Sequence, residues 1–326
     1  MSKKILALLA IVSVFILAAC SSSESTTEST STSSSEVTKE SDNLQVVASF
    51  YPMYEFAEKV GGEAADVSLM IPAGGDVHGY EPSAKDLANL QTADAFVYAN
   101  TEMETWVPSV LESINTDNLT VIQADEEIEL IETGEAEEGH DHENDHSEEG
   151  HTHTVDPHTW VDPANAIIQV TQIKEKFIEA DPENTTTYED NAASYISELQ
   201  TLKTAYDSAL NEVENTEFIT QHAAFGYLAN RYGLRQYSLA GVSADTEASP
   251  QVMAELVTLI EEHELPVVYY NVNENESLAN TVAQEAGVQT APLHTLESLT
   301  DEEIAEGKNY INVMRDNLES LTLSIR

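Results

Sequence analysis

Two rhythms of apolar and polar positions alternate along the chain. From Leu44 onward, the β-rich runs "LQVVASF", "DVSLMIP", "AFVYAN" and "LTVIQA" predict four strands, with helical patterns after Tyr51, after Pro82 and after Glu104. A second series, "EFITQH", "RQYSLA", "VVYYNV" and "QTAPLH", repeats the alternation nearer the C-terminus. Strands separated by helices predict an α/β fold, here two lobes that each hold a mainly parallel sheet flanked by helices. Between the two series, Tyr188, Ala192, Tyr195, Leu199, Leu202, Tyr206, Leu210 and Val213 recur three or four apart, as one stripe of a long amphipathic helix. At about 1.5 Å per residue it would be roughly 39 Å long, a stiff connector that lets the lobes move little. The expected divisions are a first lobe over 44–183, a linking helix over 184–214 and a second lobe over 215–326.

The front of the chain follows a different pattern. Lys3 and Lys4 precede the apolar run Ile5 to Ile16, which is too short for a mature membrane span and has the layout of a secretory signal over 1–19. It ends in Leu17-Ala18-Ala19-Cys20, which resembles the lipobox of bacterial lipoproteins, where the cysteine is acylated and becomes the new N-terminus. Cys20 is the only cysteine, so no internal disulfide can form and the fold must rest on its apolar core. The Ser/Thr/Glu-rich stretch that follows, to residue 43, has too little apolar surface to fold and reads as a tether reaching roughly 25 Å.

Charge and histidine content sharpen the picture. Thirteen basic against 59 acidic residues give a net charge of −46, which argues against nucleic acid and anionic lipid surfaces and favours cations as ligands. Three predicted strand ends or helix starts carry a histidine: His78 in "AGGDVHGYEPS", His158 in "DPHTWVDPANA", and His222 at the end of "EFITQH". Clefts at the carboxyl ends of strands are where open α/β sheets bind ligands, and three neutral imidazoles suit zinc. Gly74, Gly75 and Gly79 would let the first loop turn tightly and bring its backbone close to an ion. Five more histidines, His140, His142, His146, His151 and His153, lie in an acidic, Gly-containing insertion within the loop 125–155 that has no apolar residues to bury. No Lys or Arg occurs from Asp86 to Ile173, so the negative field of this stretch should concentrate cations.

The blocks "VVASFYPMYEFAEKVGG", "HGYEPSAKDLANLQTADAFVYAN", "DPHTWVDPANA", "DPENTTTYEDNAASYISELQTLKTAY", "QHAAFGYLANRYGL" and "NYINVMRDNLESL" resemble the zinc and manganese substrate-binding lipoproteins of bacterial ABC importers. The resemblance runs through the whole chain after the tether. It implies two α/β lobes joined by one rigid helix, a metal site in the interlobe cleft, and delivery of the metal to a membrane permease driven by an ATPase subunit. It matches the family's metal histidines to His78, His158 and His222, and a histidine rather than a carboxylate at the third position points to Zn2+ as cargo over Mn2+. It also implies that the His-rich insertion gathers metal for the cleft or senses metal around it. The family's acidic ligand of the second lobe aligns with Asn271, which leaves Asn271, Glu274 or a water for the fourth position. Asp76 and Glu81 are carboxylates near His78, weak evidence in so acidic a chain.

These readings predict a monomeric, non-enzymatic, lipid-anchored protein on the extracytoplasmic face of the membrane, with a Gram-positive surface as its setting. A surface adhesin and a secreted zinc hydrolase are the rivals. The hydrolase is disfavoured because no His-Glu-x-x-His spacing occurs.

Overall fold

The computed structural model describes residues 43–132, 155–241 and 249–326. The signal-like segment, Cys20, the tether and the five insertion histidines lie outside the described residues.

The first lobe runs β1 (Leu44–Ala48), α1 (Tyr51–Gly61), β2 (Ala65–Leu69), α2 (Ala84–Leu90), β3 (Ala95–Tyr98), α3 (Val107–Ser113), β4 (Thr120–Gln123) and α4 (Pro163–Ala180). After α5 (Thr185–Leu210), the second lobe runs β5 (Glu217–Thr220), α6 (Gly226–Tyr232), β6 (Arg235–Ser238), α7 (Pro250–Glu262), β7 (Val267–Tyr270), α8 (Ser277–Ala286), β8 (Gln289–Pro292), α9 (Asp301–Ala305) and α10 (Tyr310–Leu321). The sheets have orders β2-β1-β3-β4 and β6-β5-β7-β8, and every pairing is parallel. Helices cover both faces of the first sheet, so an inner strand such as β3 is buried at every position, whereas the edge strand β2 alternates buried and exposed.

In each sheet the chain first steps to one side of its central strand and then crosses to the other. That reversal opens a crevice at the carboxyl ends of β1 and β3, and another at those of β5 and β7. The site described below draws on the same carboxyl edges, with side chains from the connections after β2, β4, β5 and β8.

One apolar core runs through both lobes. It joins Val46 and Phe56 of the first lobe to Tyr188, Leu199 and Tyr206 of α5 and to Phe218, Tyr269 and Met314 of the second. Smaller clusters fill the outer faces, under α2 and α3 on one side and under α7 and α8 on the other. The α5 helix has 26 residues, and the seven stripe residues from Tyr188 to Leu210 are all buried. Val213 falls beyond its end, because Asn211 is extended and Glu212 has φ of +64°.

A single carboxylate ties α1, α5 and α10 together. Glu55, 4% exposed, accepts hydrogen bonds from Tyr51 Oη at 2.5 Å, Tyr195 Oη at 2.9 Å and the Tyr310 backbone N–H at 2.7 Å. Replacing it with alanine would orphan three donors, two of them fully or nearly fully buried, at a cost of roughly 1–3 kcal/mol each. We expect Glu55→Ala to lower the thermal midpoint of the metal-free protein by about 6 °C or more, and Glu55→Gln to lower it less. A calorimetric midpoint that does not move would show that this carboxylate contributes little to joining the lobes.

Candidate metal centre

Four connections deliver the site. His78 lies on the loop after β2, where Asp76 Oδ1 accepts its backbone N–H at 3.0 Å. A Cβ at residue 79 would lie 2.6 Å from Asp76 Oδ2, so glycine leaves room for that carboxylate. Gly74, at φ +70°, donates its N–H to Leu299 O at 3.1 Å and so fastens this loop to the second lobe. The glycines thus shape the turn and its packing.

His158 precedes a short 3-10 turn, Thr159–Val161, ahead of α4. Asp156 Oδ1 accepts both its backbone N–H, at 2.9 Å, and its ring Nδ1–H, at 2.8 Å. A carboxylate on the far nitrogen fixes the tautomer and turns Nε2 toward the cleft. The segment is held from behind as well. Asn100, at the carboxyl end of β3, donates through Nδ2 to Pro157 O at 3.0 Å and to Asp125 Oδ2 at 2.7 Å, while Tyr227 Oη of α6 donates to Asp156 O at 2.7 Å. Burial pushes Asp125 up to about 6 and the nearby Glu104 up to about 7, although hydrogen bonds to both carboxylates pull the other way.

His222 follows β5, with its carbonyl accepting from Thr220 Oγ1 at 2.7 Å and from Gln236 Nε2 at 3.1 Å. The fourth group, Glu297, comes from the connection between β8 and α9. Its Oε1 lies 3.7 Å from His78 Nε2, 3.5 Å from His158 Nε2 and 3.4 Å from His222 Nε2. The two last-named nitrogens are 3.0 Å apart. All four ligand atoms lie within 4.8 Å of one another.

The four separations just given, 3.0–3.7 Å, lie close to those of a tetrahedral ion. Bonds of about 2.0–2.1 Å from zinc to nitrogen or carboxylate oxygen give tetrahedron edges of roughly 3.3–3.4 Å. Two of the four atoms, His78 Nε2 and Glu297 Oε1, are buried without a hydrogen-bonding partner, the mark of atoms placed for something else. The site is nearly closed, with side-chain exposures of 8% for His78, 0% for His158, 1% for His222 and 13% for Glu297.

Electrostatics agree. Burial alone would lower the His158 imidazole, but the carboxylates of Asp156 and Glu297 outweigh it and push it up to about 9. Burial alone would raise Glu297, yet contacts with the three histidines hold its carboxyl well below the usual range. The cavity is therefore built for positive charge, and a proton on His158 occupies the place a cation would take. Glu297 and Asp156 together balance the two charges of a divalent ion. Among the described residues no other group of three or more such side chains converges in this way.

Residues 46–323 match the family model for the zinc-uptake complex component A, periplasmic, or ZnuA. The chain belongs to the ZnuA family. It is 43% identical over 320 residues to the zinc-binding lipoprotein AdcA of Streptococcus pneumoniae R6, covering 98% of this chain but only 60% of that protein. It is 40% identical over 326 residues to the high-affinity zinc uptake system protein ZnuA of Bacillus subtilis 168, covering 100% of this chain and 99% of that one. The solved Zn(II)-bound ZnuA-like domain of Streptococcus pneumoniae AdcA superposes with a TM-score of 0.75 at 40% identity, over 86% of this chain and 98% of that domain.

Within this ZnuA-family fold, the three histidines singled out from sequence meet, but the expectation for the fourth position needs correction. Asn271 turns its Nδ2 away, to Glu274 Oε1 at 2.9 Å and Thr295 Oγ1 at 3.1 Å. Glu274 in turn accepts from Gln221 Nε2 at 3.1 Å. Neither joins the cluster, and Glu297 Oε1 stands where a water was the third option. The acid arrives one strand later than expected, after β8 instead of β7. A sequence signal existed: Glu297 is the only acid between Gln289 and Thr300, at the carboxyl end of a predicted strand. Asp76 serves the His78 turn, and Glu81 is exposed.

Proposed function

We propose that this protein captures Zn2+ outside the cytoplasmic membrane and passes it to an ABC permease with its ATPase subunit. Three imidazole nitrogens and one carboxylate oxygen converging within 4.8 Å of one another carry the reading, with His78, His158, His222 and Glu297 as the ligands. Manganese prefers more oxygens and higher coordination, so this donor set favours zinc. The chemistry is holding, not reacting. A zinc hydrolase keeps one coordination position for water, whereas here protein atoms fill all four. Acylation of Cys20 would keep the protein at the membrane surface, within reach of the permease.

The His-rich insertion has the role of a metal gatherer in this reading. The described residues on either side of it meet each other, since Glu132 and Val155 form an antiparallel bridge and the Asp156 N–H donates to Ile131 O at 2.9 Å. Calorimetric titration of the full protein, and of a form lacking residues 138–154, tests both parts. One tight zinc should bind to each, manganese should compete poorly, and the additional weak zinc equivalents should vanish with the deletion. Loss of the tight site on deletion would make the insertion histidines the primary ligands, and preference for manganese would change the cargo.

A further inference from the structure

Glu297 lies in a connection without regular structure, residues 293–300, and the residue before it is strained. Leu296 is fully buried and has φ of +62°, a left-handed conformation that costs a non-glycine residue about 1–2 kcal/mol. His294 opposes that cost. Its Nδ1 lies 2.8 Å from the backbone N of Leu296. A backbone N–H can only donate, so Nδ1 is the bare nitrogen and Nε2 carries the hydrogen in the neutral ring. Nε2 faces Glu303 Oε1 of α9 at 3.5 Å, with Asn273 Nδ2 at 3.4 Å.

The backbone that carries the ring is held in place. Asn317 of α10 accepts the His294 N–H at 2.8 Å and donates to its carbonyl at 2.7 Å. On either side of Glu297 the backbone is pinned again: Trp160 Nε1 donates to Thr295 O at 2.8 Å, Asn273 Nδ2 to Ser298 O at 2.9 Å, and Gly74 N to Leu299 O at 3.1 Å. Of these ties, only the one from His294 acts on the left-handed residue whose conformation sets the direction of Glu297.

We infer that His294 is a positioning residue for metal capture: it never touches the ion, but its Nδ1 holds the Leu296 turn that aims the Glu297 carboxylate at the three histidines. The inference rests on Glu297 being a ligand. An asparagine at 294 offers a carbonyl oxygen near the place of Nδ1 and can accept the N–H two residues on, as in an Asx-turn. A glutamine places its head group near Nε2 and cannot.

The test uses the full purified chain, with zinc affinity measured by competition with a chromogenic chelator and the visible absorption of bound cobalt(II) as a report on coordination. His294→Gln should weaken zinc about 10–100-fold, the range for lost outer-shell support. His294→Asn should stay within about twofold of the parent. In a Glu297→Gln background, His294→Gln should add no more than about twofold, and its cobalt spectrum alone should move toward that of Glu297→Gln. Should His294→Gln not fold, His294→Ala carries the same arm. Parental affinity in His294→Gln, or an asparagine variant as weak as the glutamine one, overturns the inference. A Glu297→Gln protein with unchanged zinc affinity and cobalt spectrum instead removes the ligand assignment beneath it, a result separable from failure at His294.

Discussion

His158→Ala is expected to abolish tight zinc binding while leaving the protein folded. The side chain is fully buried, its Nε2 lies 3.0 Å from that of His222 and 3.5 Å from Glu297 Oε1, and among the described residues no other donor joins the cluster to replace it. Loss of outer-shell support typically costs 10–100-fold in metal affinity, so loss of the ligand itself should exceed about 100-fold. His222→Ala should do the same. The fold should survive because the segment around His158 is fixed through other atoms: Asn100 holds the Pro157 carbonyl, Tyr227 the Asp156 carbonyl, and Tyr310 Oη the Trp160 carbonyl at 2.6 Å. Chelator competition gives the affinity and circular dichroism the fold. Parental affinity in both variants would place the ion elsewhere.

The three histidines were legible in the sequence for a physical reason. Outside the insertion the chain has only five: His78, His158 and His222 follow strands or precede a helix where an α/β sheet opens its crevice, and so does His294 at the end of "QTAPLH", which the sequence reading did not single out. The inner strands were legible because they are covered on both faces and read as unbroken apolar runs, as "AFVY" of β3 does, and edge strands such as β2 through their alternation of buried and exposed positions. Glu297 left only a weak mark, the lone acid just after "QTAPLH", and one acid among 59 is easily passed over. What distinguishes it is the backbone at Leu296 and the contact between His294 and Asn317, residues far apart in sequence and joined only by the fold. The glycines of the His78 loop were correctly seen as turn-formers, but sequence could not show that the room at Gly79 is for Asp76. The end of α5 was overrun by four residues, to 214, because Val213 keeps the apolar spacing after the backbone has already left the helix at Asn211.

Zinc affinity should also climb steeply with pH. Zinc needs a bare Nε2 on His158, and in the metal-free protein that ring holds its proton up to about 9. Below that value each pH unit costs a factor of about ten through this one group, so affinity at pH 6 should be roughly 100-fold weaker than at pH 8. Glu297, held well below the usual carboxylate range, stays ionised throughout this window and adds no slope. Stability follows with a definite sign. Because the folded-state value for His158 lies above its ordinary 6.5, the protonated ring stabilises the metal-free fold fully below about 6.5, and that contribution fades as pH rises toward 9. In the loaded protein, zinc takes the place of the proton and the loss does not occur. The gain in thermal midpoint on adding a fixed excess of zinc should therefore grow between pH 6 and pH 8, by the equivalent of about 2.7 kcal/mol. Glu104 and Asp125, raised by burial, also titrate near this window, but they do so with and without zinc and cancel in the difference. Asp156→Asn removes one of the two carboxylates that hold the His158 proton, so the rise in affinity should level off at a lower pH in that variant. An affinity that stays flat from pH 6 to pH 8 in the parent would show that zinc displaces no proton from His158, and the electrostatic account of the cleft would fall with it.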